Sequence, residues 1–176
     1  MRTRSLLLLA AGLVAAAPPA SAGDDTRLLS MPAMSSKSIA FVYGEDLWTA
    51  DVDGKNPKRL TSDLGVESNP AFNPDGSVIA FSAQYDGNTD VFTIPVTGGT
   101  PTRLTSHPSA DVVRGFTPDG KSVLFMSNRN VHSSRHSQLF TVPLAGGMPT
   151  QLPIPWGFEA CYSPDGKYIA YTPVWM

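Results

Sequence analysis

The tripeptide Pro-Asp-Gly occurs three times in this chain, and its spacing constrains the fold more than any other sequence feature. The copies span residues 74–76, 118–120 and 164–166, which places them 44 and 46 residues apart. An aromatic residue lies two positions before each proline, and a short apolar run follows each glycine. A repeat of about 40–45 residues that contains several short strands is typical of a β-propeller blade.

A second repeated segment supports this prediction. It reads Leu-Trp-Thr-Ala, Val-Phe-Thr-Ile and Leu-Phe-Thr-Val at residues 47–50, 91–94 and 139–142, and a glycine, a proline and a leucine follow each copy in the same register. The apolar runs are short and rich in Val, Ile, Phe and Tyr, which favours strands over helices. Several runs are apolar on both faces. Such strands must be covered on both sides, as they are where propeller blades stack face to face.

The segments between the apolar runs have the composition of tight turns. In Pro-Asp-Gly, proline fixes the first corner of the turn, aspartate can bond the local backbone, and glycine accepts a positive φ. Hairpin-turn pairs follow the second repeated segment at Asp53-Gly54, Gly98-Gly99 and Gly146-Gly147. Each repeat is therefore predicted to form four strands joined by turns.

The predicted fold is all-β, a partial β-propeller of about three and a half four-stranded antiparallel blades. The expected blades are residues 27–62, 65–106 and 110–153, followed by a half blade at 157–176. A polar insert at 128–137 is expected to be an exposed loop. Propellers close with four to eight blades, so we expect a truncated gene product or the front part of a longer protein. Its bare edge strand is expected to cause aggregation or proteolysis of the isolated chain.

The first 22 residues have the composition of a secretory signal peptide. Arg2 and Arg4 give a positive start, residues 6–17 are uncharged and apolar, and Ala-Ser-Ala at 20–22 is a cleavage motif. The apolar run is shorter than the ~20 residues that span a bilayer, and as a buried helix it would lack a polar face. We therefore expect residues 23–176 to form an exported domain, periplasmic or secreted, with no membrane span after cleavage.

Charge and cysteine content narrow the function classes. Without the two leader arginines the domain has more acidic than basic residues, which argues against a nucleic-acid partner. Cys161 is the single cysteine, so no internal disulfide can form. We expect Cys161 to be a small buried hydrophobe in a strand rather than a reactive thiol.

The three histidines do not predict a catalytic or metal site. His132 and His136 have the spacing of a helical zinc pair, but they lie in a predicted loop and lack the glutamate of H-E-x-x-H. His107 has no evident partner, and no G-x-S-x-G nucleophile elbow occurs. The predicted catalytic, cofactor-binding and metal residues are therefore none, and no cofactor is expected.

Two acidic segments and three aromatic residues also have structural interpretations. Residues 51–54 and 86–90 resemble pieces of calcium loops, but neither continues to the distal glutamate of an EF-hand, and their repeat positions predict hairpin turns. Trp48, Phe92 and Phe140 align across the repeats, which predicts packing between blades rather than a ligand site.

The order of these motifs resembles a known family. Aromatic-x-Pro-Asp-Gly, an apolar strand and Arg-Leu-Thr, as at 103–105, form a pattern similar to the WD-like repeat of TolB-type propellers. Gly-Glu-Asp-Leu-Trp-Thr at 44–49 and Gln-Tyr-Asp-Gly-Asn-Thr at 84–89 add to it. Over residues 26–174 the pattern is similar to the N-terminal propeller of exported tricorn-protease homologues.

The resemblance implies a place in a larger enzyme. In that family a six-bladed propeller and a second propeller precede a PDZ-like domain and a serine-peptidase domain, and the propellers filter and conduct peptides. The catalytic serine and histidine belong to domains with no counterpart in this sequence, so none of its residues receives a catalytic role. Whether the chain acts as an enzyme is left open, although the full-length parent is expected to be a serine peptidase.

Two functions follow as hypotheses. The first is a non-catalytic propeller of a tricorn-like serine peptidase, which binds or gates peptides or unfolded protein segments and contacts other chains of a peptidase assembly. The alternative is a periplasmic TolB-like propeller that binds protein partners and has no enzymatic role. An active site inside the propeller channel is a third idea, and it lacks an acid, base or metal cluster to support it.

Overall fold

The computed structural model describes residues 29–131 and 136–173, within which it contains fourteen β-strands and no helix. The predicted signal peptide at 1–22 and His132 lie outside these residues. The strands form three four-stranded sheets and one two-stranded sheet, and every pairing is antiparallel between neighbours in the sequence. This confirms the predicted all-β class and the partial propeller.

Each sheet is one blade, and its strands follow the chain from the inner strand outward. Blade one has β1 (Ser30–Met34), β2 (Ser38–Tyr43), β3 (Asp46–Asp51) and β4 (Lys58–Arg59). Blade two has β5 (Glu67–Phe72), β6 (Val78–Ala83), β7 (Asp90–Pro95) and β8 (Thr102–Arg103). Blade three has β9 (Asp111–Phe116), β10 (Ser122–Ser127), β11 (Gln138–Pro143) and β12 (Thr150–Gln151). Blade four has β13 (Gly157–Tyr162) and β14 (Ile169–Pro173).

The three Pro-Asp-Gly turns have the same geometry and lie at one end of the blades, here called the turn end. Each glycine has a positive φ between 68° and 75° and donates its N–H to the carbonyl three residues earlier. Each aspartate accepts a hydrogen bond from the N–H two residues later, at 2.8–3.2 Å. The turns of successive blades also pack together, because a Cβ on Gly120 would lie only 3.2 Å from Cδ of Pro74.

The blades stack through two different faces. The front face, toward the preceding blade, is formed in blade two by Ile79, Phe81, Phe92 and Ile94, all at most 6% exposed. These side chains pack on the back face of blade one, where the residues are smaller. Ala40 and Leu47 are fully buried on that face. Ala80 and Val91 hold the same places in blade two, against Phe125 and Phe140 of blade three. Each fully buried phenylalanine contributes about 1.5–3 kcal/mol to stability.

Trp48 departs from the prediction that the aligned aromatics pack between blades. Phe92 and Phe140 do so, but Trp48 lies on the front face of blade one, which no described sheet covers. Its indole is half-buried, packs edge-on to Tyr43 at 5.9 Å, and donates from Nε1 to the Tyr43 carbonyl at 3.1 Å. Trp48 has the same strand position as Phe92 and Phe140, but no described blade packs against it.

Cys161 also differs from expectation. It lies in strand β13 as predicted, but its side chain is exposed rather than buried. The neighbouring Ala160 points toward blade three and is 8% exposed, so the alternation of the strand turns Cys161 to the back face of blade four. None of the described residues covers that face.

The insert at 128–137 is only partly the exposed loop that its polar composition predicts. Within its described residues, the side chain of Arg129 is 11% exposed and Ser137 is 4% exposed. Arg129 forms an ion pair and Ser137 forms a hydrogen bond, and both interactions lie at the sites between blades that are described below.

Candidate functional site

Polar sites lie between neighbouring blades at the end opposite the turn end, here called the junction end. The inner strands β5, β9 and β13 each begin with a backbone N–H donated to a carbonyl of the preceding blade. The three bonds join Glu67 to Glu45, Asp111 to Thr89 and Gly157 to Ser137, at 2.8–3.0 Å. The junctions are therefore built on one backbone plan, and they differ in their side chains.

The Arg-Leu-Thr motif closes the outer part of blade one at this end. Arg59 donates from Nε to the Thr61 carbonyl at 2.8 Å and forms an ion pair with Asp46 at 2.7 Å. Thr61 accepts the N–H of Leu47 on its hydroxyl at 2.8 Å. The motif thus fixes the short outer strand to β3, which gives it a structural role.

Blade two repeats this arrangement. Arg103 donates to the Thr105 carbonyl at 2.9 Å and pairs with buried Asp90 and with exposed Asp86. Thr105 accepts the N–H of Val91 at 3.0 Å. The carboxylates of segment 86–90 are therefore bound to the Arg103 side chain.

The junction between blades one and two contains an unpaired acid. Glu67 is 1% exposed, and its Oε1 accepts a hydrogen bond from the hydroxyl of Tyr85 at 2.6 Å. Its Oε2 is buried without a partner. Burial, reinforced by the charge of Asp46, raises the pKa of Glu67 to about 7.

The junction between blades two and three pairs its acid with a cation. Asp111 is fully buried, and the guanidinium of Arg129 forms an ion pair with its Oδ2. Arg129 also lies 5.2 Å from the ring centres of both Phe125 and Phe140, a cation–π geometry. Burial raises the pKa of Asp111, while contacts with Ser127, Thr105 and Arg129 act in the opposite direction.

The junction between blades three and four has no acid at the start of its inner strand. Gly157 occupies that position, and Ser137 donates from its hydroxyl to the Gly157 carbonyl at 2.9 Å. His136 packs its ring 5.0 Å from that of Trp156. His136 is therefore a packing residue here, and His132, the other histidine of the insert, lies outside the described residues.

The inner strands carry a second repeated feature that sequence reasoning missed. Each of the four pairs with its neighbour through a register shift, at 30–33, 68–71, 113–115 and 157–160. The strands contact one another in the order β1, β5, β9, β13, so the four bulges follow one another around the axis. Bulges re-aim side chains and are frequent beside functional sites. We use the name bulge ring for five of the side chains at these positions: Met31, Asn69, Arg114, Phe158 and Glu159.

The bulge ring combines apolar and charged contacts. Arg114 donates from Nε to the Phe158 carbonyl at 2.9 Å, lies 3.0 Å from Glu159 Oε2, and sits 5.4 Å from the Phe158 ring centre. Its own side chain is 5% exposed, whereas Phe158 and Glu159 are largely exposed. On the other side, Met31 Sδ accepts the N–H of Asn69 at 3.2 Å. Exposed aromatic and carboxylate groups thus lie beside a buried cation.

The remaining candidates from the sequence occupy structural positions. His107 accepts the Ser109 N–H on Nδ1 at 3.0 Å, and its carbonyl accepts a bond from Asn88, so it has partners that the sequence did not reveal. Segment 51–54 forms the turn after β3, with Gly54 donating to the Asp51 carbonyl at 2.8 Å. Across residues 29–131 and 136–173, no three His, Cys, Asp or Glu side chains are grouped to hold a metal ion. The same residues contain no helix of the length and apolarity that crossing a membrane requires.

Comparison with known proteins identifies the family. The model of the tricorn protease N-terminal β-propeller domain matches residues 26–176. The chain belongs to this family. A tricorn protease homologue of Streptomyces coelicolor is 39% identical over 56 residues, which cover 31% of this chain and 5% of the relative.

Solved structures agree with the tricorn family assignment. The crystal structure of the tricorn protease matches with a TM-score of 0.69 and 26% identity, over 79% of this chain and 14% of that one. TolB from Acinetobacter baumannii matches with a TM-score of 0.66 and 25% identity, over 81% of this chain and 37% of that one. This tricorn-type propeller chain therefore spans less than two fifths of the length of each of these three proteins.

Proposed function

We propose that this chain is the non-catalytic propeller portion of an exported tricorn-like serine peptidase. It binds or gates peptides, or unfolded protein segments, for a catalytic domain outside this sequence. The family match supports the assignment. The composition of residues 1–22 supports export to the periplasm or beyond, and residues 23–176 are the proposed propeller portion.

The bulge ring carries this proposal. Four consecutive inner strands bulge at similar positions. The strand that bears Phe158 and Glu159, β13, leaves an aromatic and a carboxylate group accessible next to buried Arg114. A peptide that passes along the axis presents backbone amides and mixed side chains. An exposed aromatic ring offers it sequence-tolerant contact area, and a polar rim offers hydrogen bonds.

Peptide binding by the full chain tests the proposal. We would titrate fluorescein-labelled unstructured peptides with the protein and follow the fluorescence anisotropy. Phe158→Ala should weaken binding about tenfold, which corresponds to ~1.4 kcal/mol of lost aromatic contact. Leu64→Ala is the matched control, because Leu64 is 98% exposed and lies outside the bulge ring. Equal affinities of the two variants would contradict the assignment of peptide binding to the bulge ring.

The TolB-like alternative keeps a specific observation in its favour, which is the match to TolB over 81% of this chain. Under that alternative the chain binds folded protein partners and no peptides. Absence of peptide binding, together with a complex with a folded partner of the cell envelope, would support it. A serine-reactive probe should leave the chain unlabelled under both functions, and labelling with peptide hydrolysis would overturn both.

A further inference from the structure

Two junctions of this propeller are built on one plan but differ in charge. Asp46 and Glu67 at the first correspond to Asp90 and Asp111 at the second, each 44 residues later. Arg59 and Arg103 also correspond, and each is paired with the first acid. At the second junction Arg129 neutralises the second acid, whereas Tyr85 occupies its position at the first.

The first junction therefore leaves its second acid, Glu67, without a cation. Arg59 is already bonded to Asp46 and to the Thr61 carbonyl. Among residues 29–131 and 136–173, no lysine, arginine or histidine forms an ion pair with Glu67. An ionised carboxylate with one buried oxygen unpartnered is costly, while the neutral acid avoids most of that cost.

We propose that the junction between blades one and two is a proton-dependent contact, in which Glu67 is a neutral carboxylic acid and ionises only at the expense of the junction. The backbone bond from the Glu67 N–H to the Glu45 carbonyl lies at this contact, and so does the hydrogen bond from Tyr85. Ionisation places a second negative charge near Asp46 and favours hydration of the buried oxygen. Both effects separate the two blades locally.

Burial is the largest influence on the protonation of Glu67 and favours the neutral acid, and the surrounding groups act in both directions. Asp46 at the start of β3 disfavours its ionisation, and Tyr85 and Thr61 partly oppose that effect by hydrogen bonding. Burial and the hydrogen bond with Glu67 raise the pKa of Tyr85, and the neighbouring acid Asp63 adds to this, so the phenol stays a donor throughout the relevant range. Arg59 is the nearby cation, and its contacts are with Asp46 and Thr61.

The pH dependence has a definite sign. Because the pKa of Glu67 is raised from its ordinary value of 4.5 to about 7 in the folded chain, the unfolded chain releases this proton first as pH rises. The stability contributed by the neutral acid is complete below about pH 4.5 and is lost by about pH 7. The unfolding equilibrium constant should rise on the order of 100-fold across this window from Glu67 alone.

Two variants of the full chain test the proposal. Glu67→Gln keeps a neutral side chain of the same shape and should remove this part of the pH dependence, measured by urea unfolding between pH 4.5 and 8. Tyr85→Arg copies the second junction, and it should lower the pKa of Glu67 and raise the stability at pH 8. Asp75→Asn is the matched control, since Asp75 is exposed at the turn end, far from this junction. Hydrogen bonding to Ser77 lowers the pKa of Asp75, so it stays ionised over this range and its replacement should leave the slope unchanged.

A direct titration makes the test independent of folding yield in Tyr85→Arg. The carboxyl carbon of Glu67, assigned by its absence in Glu67→Gln, should titrate near neutral pH in a ¹³C NMR experiment on glutamate-labelled protein. A midpoint near 4 would overturn the proposal. So would an unchanged pH slope in Glu67→Gln, because the proton would then be taken up elsewhere.

Discussion

Tyr85 and Arg129 occupy the same position in consecutive blades, and each contacts the acidic residue that begins an inner strand. Tyr85 donates to Glu67, and Arg129 forms an ion pair with Asp111. Both also pack on phenylalanine rings of the front face, Tyr85 on Phe92 at 4.8 Å and Arg129 on Phe125 and Phe140. The residue at this one scaffold position thus decides whether the acid at each of these two junctions faces a neutral donor or a cation.

Removal of Arg129 should be strongly destabilising. Arg129→Met leaves the fully buried Asp111 without its cation, and breaking a buried pair in this way costs about 3–5 kcal/mol. The double variant Asp111→Asn with Arg129→Met should recover a large part of that loss. Urea unfolding of the three proteins measures both effects. A loss below ~1 kcal/mol in the single variant would show that the pair contributes little to the junction.

The hydroxyl of Thr105 should contribute measurably to blade two. Thr105→Val keeps the shape of the side chain but leaves the buried N–H of Val91 without its acceptor, which costs about 1–3 kcal/mol. Thr61→Val should have a similar effect in blade one, because Thr61 accepts the Leu47 N–H in the same way. Ser106→Ala, at an exposed neighbouring position, serves as the control in thermal or urea unfolding.

Phe41 and Phe81 hold the same place in consecutive blades but differ in burial. Phe81 is fully buried between blades one and two, so Phe81→Ala should cost about 3–5 kcal/mol. Phe41 lies on the open front face of blade one, so Phe41→Ala should cost ~1 kcal/mol or less. A large loss in Phe41→Ala would indicate that another surface covers this face in solution.

Cys161 should react with thiol reagents in the native state. Its exposure predicts modification by a chromogenic disulfide reagent at nearly the same rate before and after unfolding in urea. The control places the thiol one residue earlier, as Ala160→Cys in a Cys161→Ser background, where the side chain faces blade three. That thiol should be protected until the protein unfolds. Equal native reactivity of both proteins would contradict the orientation of β13.

The sequence predicts those parts of this fold that repeat. The Pro-Asp-Gly turns and the Leu-Trp-Thr segments recur because each blade needs the same hairpins and the same buried faces. Glu67 and Asp111 lie outside these motifs, at the starts of inner strands whose sequences vary. Arg129 belongs to a polar insert, and nothing local indicates that its side chain turns inward.

The sequence does not predict the bulges or the exposure of Cys161, and the reasons are related. A register shift depends on how two strands pair, and single-strand patterns contain no direct record of it. The burial of Cys161 was expected from residue type, but burial depends on whether a sheet covers that face. Features that repeat with the blades are therefore predictable, including the packing of Phe92 and Phe140 between blades, whereas strand register and the covering of an individual face are not.

Because the blades stack front to back, each described blade packs only against its immediate neighbours, and amide hydrogen exchange should follow that order. Each described core cluster joins two adjacent blades, so the protection of a blade's amides depends on how many neighbours it has. Blades two and three have two each, and their central strands should exchange slowest. Strands β1 and β14 should exchange first, and opening should spread inward from either end one blade at a time.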